Sequence, residues 1–322
     1  MGARAGGAGA QPLRVAFVGN AEWSVPSLEA LAASRHDIVR VLTREPRPAG
    51  RGRVPAPTPV ATAARALGVA LAEVPTIREG AGFETLARAA PDVLVVVAYG
   101  DLLPAAVLAV PRLLPVNVHF SLLPALRGAA PVQRAILEGL PRTGVTTMRM
   151  GAGMDTGPIL LQRSTPVGLE EDAGELGARL AAMGGALLVD TLEQVSAGTL
   201  EEQPQDEAAA TLAPRLTARD EHLDWSRTAE EIARQVRALS PAPGATTTLG
   251  GKRIKVYRVA RADPLRPDAT PGELNVTAAG PLVATGRGAL RLDEVQAEGR
   301  RRMSGREWAR GAHLPLGAVL GG

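Results

Sequence analysis

The first 150 residues alternate between short apolar runs and stretches with helical spacing. "RVAFVGN" (14–20) is an apolar run closed by Gly19, and "SVPSLEALAAS" (24–34) opens with Ser24 as a candidate N-cap and Pro26 in the first turn. "DIVRVLT" (37–43) is β-branched, "PTPVATAARALG" (57–68) is Ala-rich and stops at Gly68, and "FETLARAA" (83–90) has helical spacing. "DVLVVVAYG" (92–100) is almost wholly apolar, the mark of a strand covered on both faces. The order β-α-β-α-α-β predicts a Rossmann-like parallel sheet between helices, with ligands beyond the carboxyl ends of its strands.

"NVHFSLLP" (117–124) reads as the end of a further strand. Asn117 and His119 are two residues apart and leave the same face of such a strand, and Pro124 ends its ladder. A helix follows at 130–139, and "TGVTTMRM" (143–150) alternates as a strand. A long helix runs from about 173 to 196, with Asp172 and Glu175 spaced as a capping box. Residues 198–217 lack periodicity and read as a linker. Beyond them come one helix (229–239) and several short strands between Gly and Pro turns, the pattern of a small OB-like β-barrel. The expected organisation is a flexible tail (1–12), an α/β domain (13–200), a linker (201–216) and a β domain (217–322).

Composition and charge refine this outline. The 322 residues are 45% hydrophobic and 21% charged, which is globular, and contain three Phe, three Trp and two Tyr, so Ala, Val and Leu must build the core. With no cysteine there are no disulfides or thiolate metal sites, a composition compatible with a reducing cytoplasm. No apolar run approaches the roughly 20 residues of a membrane span. The tail has no apolar core of a secretory signal; it has one Arg and no acid, like a mitochondrial leader, but is short and Ser-free. Residues 1–215 carry a net charge of −2 and residues 216–322 a net charge of +5, and both lysines, Lys252 and Lys255, lie in the second part. That asymmetry points to chemistry in the first part and contact with a polyanion in the second.

Three stretches could carry chemistry. An amide and an imidazole on one face, Asn117 and His119, can hold a developing oxyanion and move a proton; a lone strand-end His is otherwise a structural hydrogen-bonder. "GAGMDTGPIL" places Asp155 in a Gly-flanked loop able to bring a carboxylate to a site, or to serve simply as a turn. Its Asp-Thr-Gly triplet matches that of aspartic proteases, which need two such carboxylates, and only one is present. "TREPRPAGRGR" (43–53) is an Arg-rich, Pro/Gly-rich loop suited to phosphodiester backbones, or merely solvated. There is no G-x-G-x-x-G fingerprint, no Walker A motif, and no His/carboxylate cluster with metal-ligand spacing.

"NVHFSLLP", "RGAAPVQRAI", "TGVTTMRM" and "MDTGPIL", in that order, resemble the formyltransferase family that uses 10-formyltetrahydrofolate. "VPSLEAL", "RPAGRGR", "AYG", "APRLT", "LDWS" and "EGRRRMS" extend the resemblance over about residues 13–318, and bring it nearest to the branch that formylates initiator methionyl-tRNA. The resemblance implies Asn117, His119 and Asp155 as catalytic residues. It implies formyl-folate bound along Ser121, Leu122, Leu123 and Pro124, with Val97, Tyr99 and Gly100 as the facing wall. It implies tRNA gripped by Arg47, Arg51 and Arg53 and by Lys252, Arg253 and Lys255 of the β domain. No metal and no membrane enter, and a cytoplasmic monomer is expected. Another formyltransferase of the family, or a formyl-folate hydrolase, is the alternative. Phe120, Asp101 and Ala242 depart from the family's usual residues, the first two where they bear on the folate pocket.

Overall fold

The computed structural model describes residues 11–49, 54–263, 266, 268–312 and 317–321. Two compact units emerge: one of residues 1–131, 143–166 and 177–213, the other of 132–142, 167–176 and 214–322.

The first unit follows the alternation in the sequence. It runs β1 (Arg14–Gly19), α1 (Val25–Ala32), β2 (Asp37–Arg44), a ribbon of β3 (Arg47–Ala49) and β4 (Val54–Ala56), α2 (Pro59–Ala66), β5 (Leu71–Val74), α3 (Gly80–Ala89) and β6 (Val93–Val97). After α4 (Ala105–Leu108) and β7 (Leu114–His119) come β8 (Arg142–Arg149), β9 (Ile159–Pro166) and α6 (Ala173–Ala197); α5 (Pro131–Leu137), which precedes β8, and the first turn of α6 cluster with the second unit. The seven-stranded sheet has the order β5-β2-β1-β6-β7-β8-β9. Strands β5, β2, β1, β6 and β7 are parallel, and β8 runs antiparallel to β7. All five residues of β6 are buried, as its unbroken apolar run requires. One face packs Val18, Leu42, Leu94 and Val96 against Ile77, Leu86, Leu103 and Val107. On α6, Gly184 permits close approach to β7: a Cβ there would lie 2.9 Å from Val118 Cγ1. The capping box of α6 forms, with Glu175 N–H donating to Asp172 and Asp172 N–H to Glu175.

Three local features differ from the sequence reading. Strand β5 is a short, half-buried edge strand whose "LAEV" has too few residues to show a period. Part of the Arg-rich loop is the β3–β4 ribbon, with Pro48 opposite Pro55; a two-stranded ribbon is all edge, where a missing N–H is tolerated. Residues 201–213 cluster with the first unit, and Gln203 exchanges both backbone hydrogen bonds with Ile159 at 2.8 and 2.9 Å.

The second unit is an antiparallel sheet with helices. After α7 (Ala218–Glu221) and α8 (Ala229–Ala238) come β10 (Ala245–Leu249), β11 (Lys252–Ala262), β12 (Leu274–Thr277), β13 (Gly280–Ala284), β14 (Ala289–Ala297), β15 (Met303–Ser304) and α9 (Gly305–Gly311). The strand order is β10-β11-β14-β13-β12, with β15 added on β14. Trp225, Ile232, Val236, Val256, Leu292 and Trp308 share its core. Capping boxes Thr228/Glu231 and Ser304/Glu307 start α8 and α9. Among the described residues no helix is long and apolar enough to cross a membrane.

Candidate active site

Strand β7 delivers Asn117 and His119 to the carboxyl edge of the parallel sheet. Its position beside β6 aligns Asn117 with Val96, and its antiparallel partner β8 sets His119 opposite Thr146. His119 is buried, and its Nε2 lies 2.9 Å from the Leu126 carbonyl oxygen. A carbonyl can only accept, so Nε2 carries the proton and donates it, which leaves Nδ1 as the nitrogen for proton transfer. Asp155 Oδ2 is 3.7 Å from Nδ1. That is too long for a direct hydrogen bond, and the attraction between the two is electrostatic once the ring is protonated. Asn117 is half-buried, and among the described residues its side-chain amide has no hydrogen-bond partner. The structure thus brings the three sequence candidates together as an uncommitted amide, an imidazole of fixed tautomer, and a carboxylate beside it.

Asp155 adopts φ +53°, the left-handed region, and its Oδ2 accepts the Gly128 N–H at 2.8 Å. The glycine after it serves close packing, not looseness: a Cβ on Gly157 would overlap the Arg149 carbonyl of β8. Gln205 Nε2 donates to the Asp155 and Gly157 carbonyls at 2.8 and 2.7 Å. Arg127, itself buried, donates to Gln205 Oε1 at 3.0 and 2.8 Å and to the Glu207 carboxylate at 2.8 Å. The Arg127 guanidinium holds the Glu207 carboxyl below the usual carboxylate range. Gln205 and Glu207 escaped the sequence reading because polar residues in an aperiodic stretch look like a solvated linker, and Arg127, the first residue of "RGAAPVQRAI", carries no role of its own there. The one available signal was a buried Arg's need for carboxylate and amide acceptors.

The turn after β7 is built by hydrogen bonds. Ser121 donates to the Ala125 carbonyl at 2.6 Å, and Thr146 donates to the Ser121 carbonyl at 2.7 Å while accepting from Leu123 N–H at 3.1 Å. Gln162 caps the Leu123 carbonyl at 2.7 Å. Ser121 and Leu123 are buried, Leu123 against Met148 and Ile159; Leu122 and Pro124 are half-buried. On the facing wall Val97 and Tyr99 point into the core. The Val97 carbonyl accepts Ser24 Oγ–H at 2.7 Å, and the Tyr99 hydroxyl accepts the Ile77 N–H at 3.2 Å. Gly100, at φ +91°, is exposed, as are Leu102 and Met154. The Val97 and Tyr99 side chains are therefore taken up by the core.

Two departures from the family find their reasons here. Phe120 is buried edge-on against the Trp23 ring, centroids 6.0 Å apart, so it serves the core and not a ligand wall. Asp101 pairs with Arg44 at 2.5 Å, and the Arg44 guanidinium stands 5.5 Å over the Tyr99 ring. Asn20 knits the same rim, donating to the Tyr99 carbonyl at 2.7 Å and accepting from Thr43 Oγ and Arg44 N–H at 3.1 and 3.0 Å.

Of the cationic candidates, Arg47 opens β3, and Arg51 and Arg53 lie outside the described residues. Lys252 and Arg253 are exposed at the start of β11, whereas Lys255 donates to the Pro243 carbonyl at 2.7 Å. Among the described residues no group of three or more His, Asp or Glu is placed to hold a metal ion.

An amide and an imidazole at the end of a central strand, facing a loop carboxylate, make a site for acyl transfer. Residues 13–192 match the formyl transferase family and residues 215–313 match the formyl transferase C-terminal domain; the chain belongs to the formyl transferase family. It is similar to the methionyl-tRNA formyltransferase of Solibacter usitatus, 43% identical over 309 residues, covering 96% of this chain and 99% of that protein. The methionyl-tRNA formyltransferase of Roseiflexus castenholzii is 44% identical over 311 residues, with 96% and 99% covered. Among solved structures, HypX from Aquifex aeolicus in complex with tetrahydrofolic acid shares the fold at TM-score 0.67 and 16% identity, covering 95% of this chain and 48% of that one. The N-formyltransferase of Helicobacter canadensis does so at TM-score 0.64 and 15% identity, covering 90% and 100%.

Proposed function

We propose that this chain transfers the formyl group of 10-formyltetrahydrofolate to the α-amino group of initiator methionyl-tRNA. The observation that carries the reading is the uncommitted Asn117 amide two residues from His119, whose Nε2 proton is committed to Leu126 and whose Nδ1 faces Asp155. Such a constellation serves a carbonyl that gains negative charge. Relatives more than 40% identical over nearly the whole chain bear the name methionyl-tRNA formyltransferase. The exposed apolar side chain of Met154, next to Asp155 in the chain, suits a flat heteroaromatic donor.

The donor supplies a formyl carbon bound to a nitrogen that leaves as an amine. Asn117 donates to the formyl oxygen as charge grows there while the incoming amine forms its C–N bond. Asp155 and His119 together take the proton that the amine sheds. His119 delivers a proton from Nδ1 to the departing nitrogen as the old C–N bond breaks, and the ring ends in the state in which it began. Asp155 stabilises the imidazolium between the two events. A monomer acting in the cytoplasm completes this reading.

In this reading the first unit, through residue 213, carries the chemistry, and residues 217–322 hold the RNA. Ser121, Leu122, Leu123 and Pro124, with the backbone of Val97, Tyr99 and Gly100, line the folate. Arg47, Arg51 and Arg53, and Lys252, Arg253 and Lys255, contact tRNA phosphates; the net charge of +5 beyond residue 215 supports this. The test is formyl transfer from 10-formyltetrahydrofolate to methionyl initiator tRNA, run beside free methionine, amino sugars and water as acceptors. Methionyl-tRNA should be preferred by orders of magnitude. Equal or faster transfer to a sugar amine, or simple hydrolysis, overturns the assignment.

A further inference from the structure

We propose that residues 203–213 form a strap that sets the geometry of the catalytic pair, with Gln205 and Thr211 as positioning residues for Asp155 and His119. The proposal rests on the formyl-transfer reading above.

Asp155 and the residue that orients His119 both have left-handed backbones. Asp155 sits at φ +53° and Leu126, whose carbonyl orients the imidazole, at φ +60°. Asp tolerates this region as a turn residue, but Leu126 has no such local support, and its conformation persists only where neighbours over-determine it. The strap supplies those neighbours at both places. Gln205 spends both amide protons on the carbonyls of Asp155 and Gly157, at 2.8 and 2.7 Å. Its oxygen accepts twice from Arg127, so the amide cannot turn over without losing all four bonds. Thr211 Oγ accepts the Leu126 N–H at 2.8 Å, and its backbone carbonyl accepts the Arg127 N–H at 2.8 Å. Ala213 continues the pairing, donating to the Arg127 carbonyl at 2.7 Å and accepting from Ala130 at 3.1 Å. Gly128, which donates to the Asp155 carboxylate, lies so close under the strap that a Cβ would stand 2.7 Å from the Ala213 carbonyl. One short segment thus fixes the imidazole's acceptor, the carboxylate's backbone and the N–H that orients the carboxylate.

Gln205→Glu tests this with almost no change of volume. The new carboxylate keeps Arg127 but turns an acceptor oxygen on two carbonyl oxygens, so the Asp155 loop must shift. We expect kcat to fall about 10- to 100-fold, the usual cost of displacing a catalytic group by about 1 Å, with KM for both substrates within about threefold. The kcat–pH profile should move in the same direction as that of Asp155→Ala. In the Asp155→Ala background Gln205→Glu should cost less than about twofold more, since its effect acts through Asp155. Thr211→Val, which removes the acceptor for Leu126 N–H, should lose kcat while Thr211→Ser retains it; this pair decides the matter if Gln205→Glu does not fold. The proposal is overturned if Gln205→Glu keeps kcat within twofold, if its loss multiplies fully with that of Asp155→Ala, or if KM rises alone. A wild-type chain unable to formylate methionyl-tRNA would instead defeat the functional reading, before any variant is compared.

Discussion

Asn117→Ala removes an amide that holds nothing else together. Its side chain is half-buried and has no hydrogen-bond partner among the described residues, so truncation leaves no orphaned donor or acceptor behind. The expected stability change is about 1 kcal/mol or less, since only packing is lost at this half-buried position of β7. The catalytic loss is much larger. One oxyanion donor contributes roughly 2.7–4 kcal/mol to the transition state, so kcat should fall about 10²- to 10³-fold. His119→Ala is the instructive contrast. It also removes the proton shuttle, but it strips the buried Leu126 carbonyl of its donor, which adds roughly 1–3 kcal/mol of destabilisation. The assay is single-turnover formylation of methionyl-tRNA with saturating donor, paired with urea denaturation of each variant. If Asn117→Ala keeps kcat within about fivefold, the amide does not face the reacting oxygen. If instead it unfolds as readily as His119→Ala, the amide is structural and its partner has been missed.

Arg44 and Asp101 should behave as a coupled pair: a double-mutant cycle with Arg44→Gln and Asp101→Asn should give roughly 0.5–1.5 kcal/mol of coupling, above the range of an exposed pair because both side chains are three-quarters buried. Strictly additive stabilities would reduce the contact to a surface coincidence. His36 should make stability fall with acid. Burial pushes its pKa down from 6.5, only partly offset by Glu193 and Asp37, while Arg35 adds to the lowering. Below pH 6.5 the unfolded chain therefore takes up a proton that the folded chain refuses, and stability drops as pH falls until the folded-state value is passed. The urea midpoint should decline between about pH 8 and pH 5.5 in the wild type and decline less in His36→Asn; parallel declines would place the sensitivity elsewhere.

The sequence by itself determined the elements whose physics is local. An apolar run such as Val93–Val97 reads as a covered strand, the Asp172/Glu175 spacing caps a helix through bonds three residues apart, and the period-2 spacing of Asn117 and His119 puts both on one face. What tertiary structure alone decided is which solvated-looking polar residues are buried and what each holds. Gln205 and Arg127 are 78 residues apart, and Gln205 and Asp155 are 50 apart. Nothing in the spacing of an aperiodic stretch reports those meetings. The same is true of Arg44 and Asp101, each an ordinary charged loop residue until parallel strands β2 and β6 carry them to one edge of the sheet. Periodicity encodes the direction of a side chain relative to its own element. The partner at the end of that direction is chosen by chain topology, and it decides whether a polar group lies in water or holds a catalytic carboxylate in place.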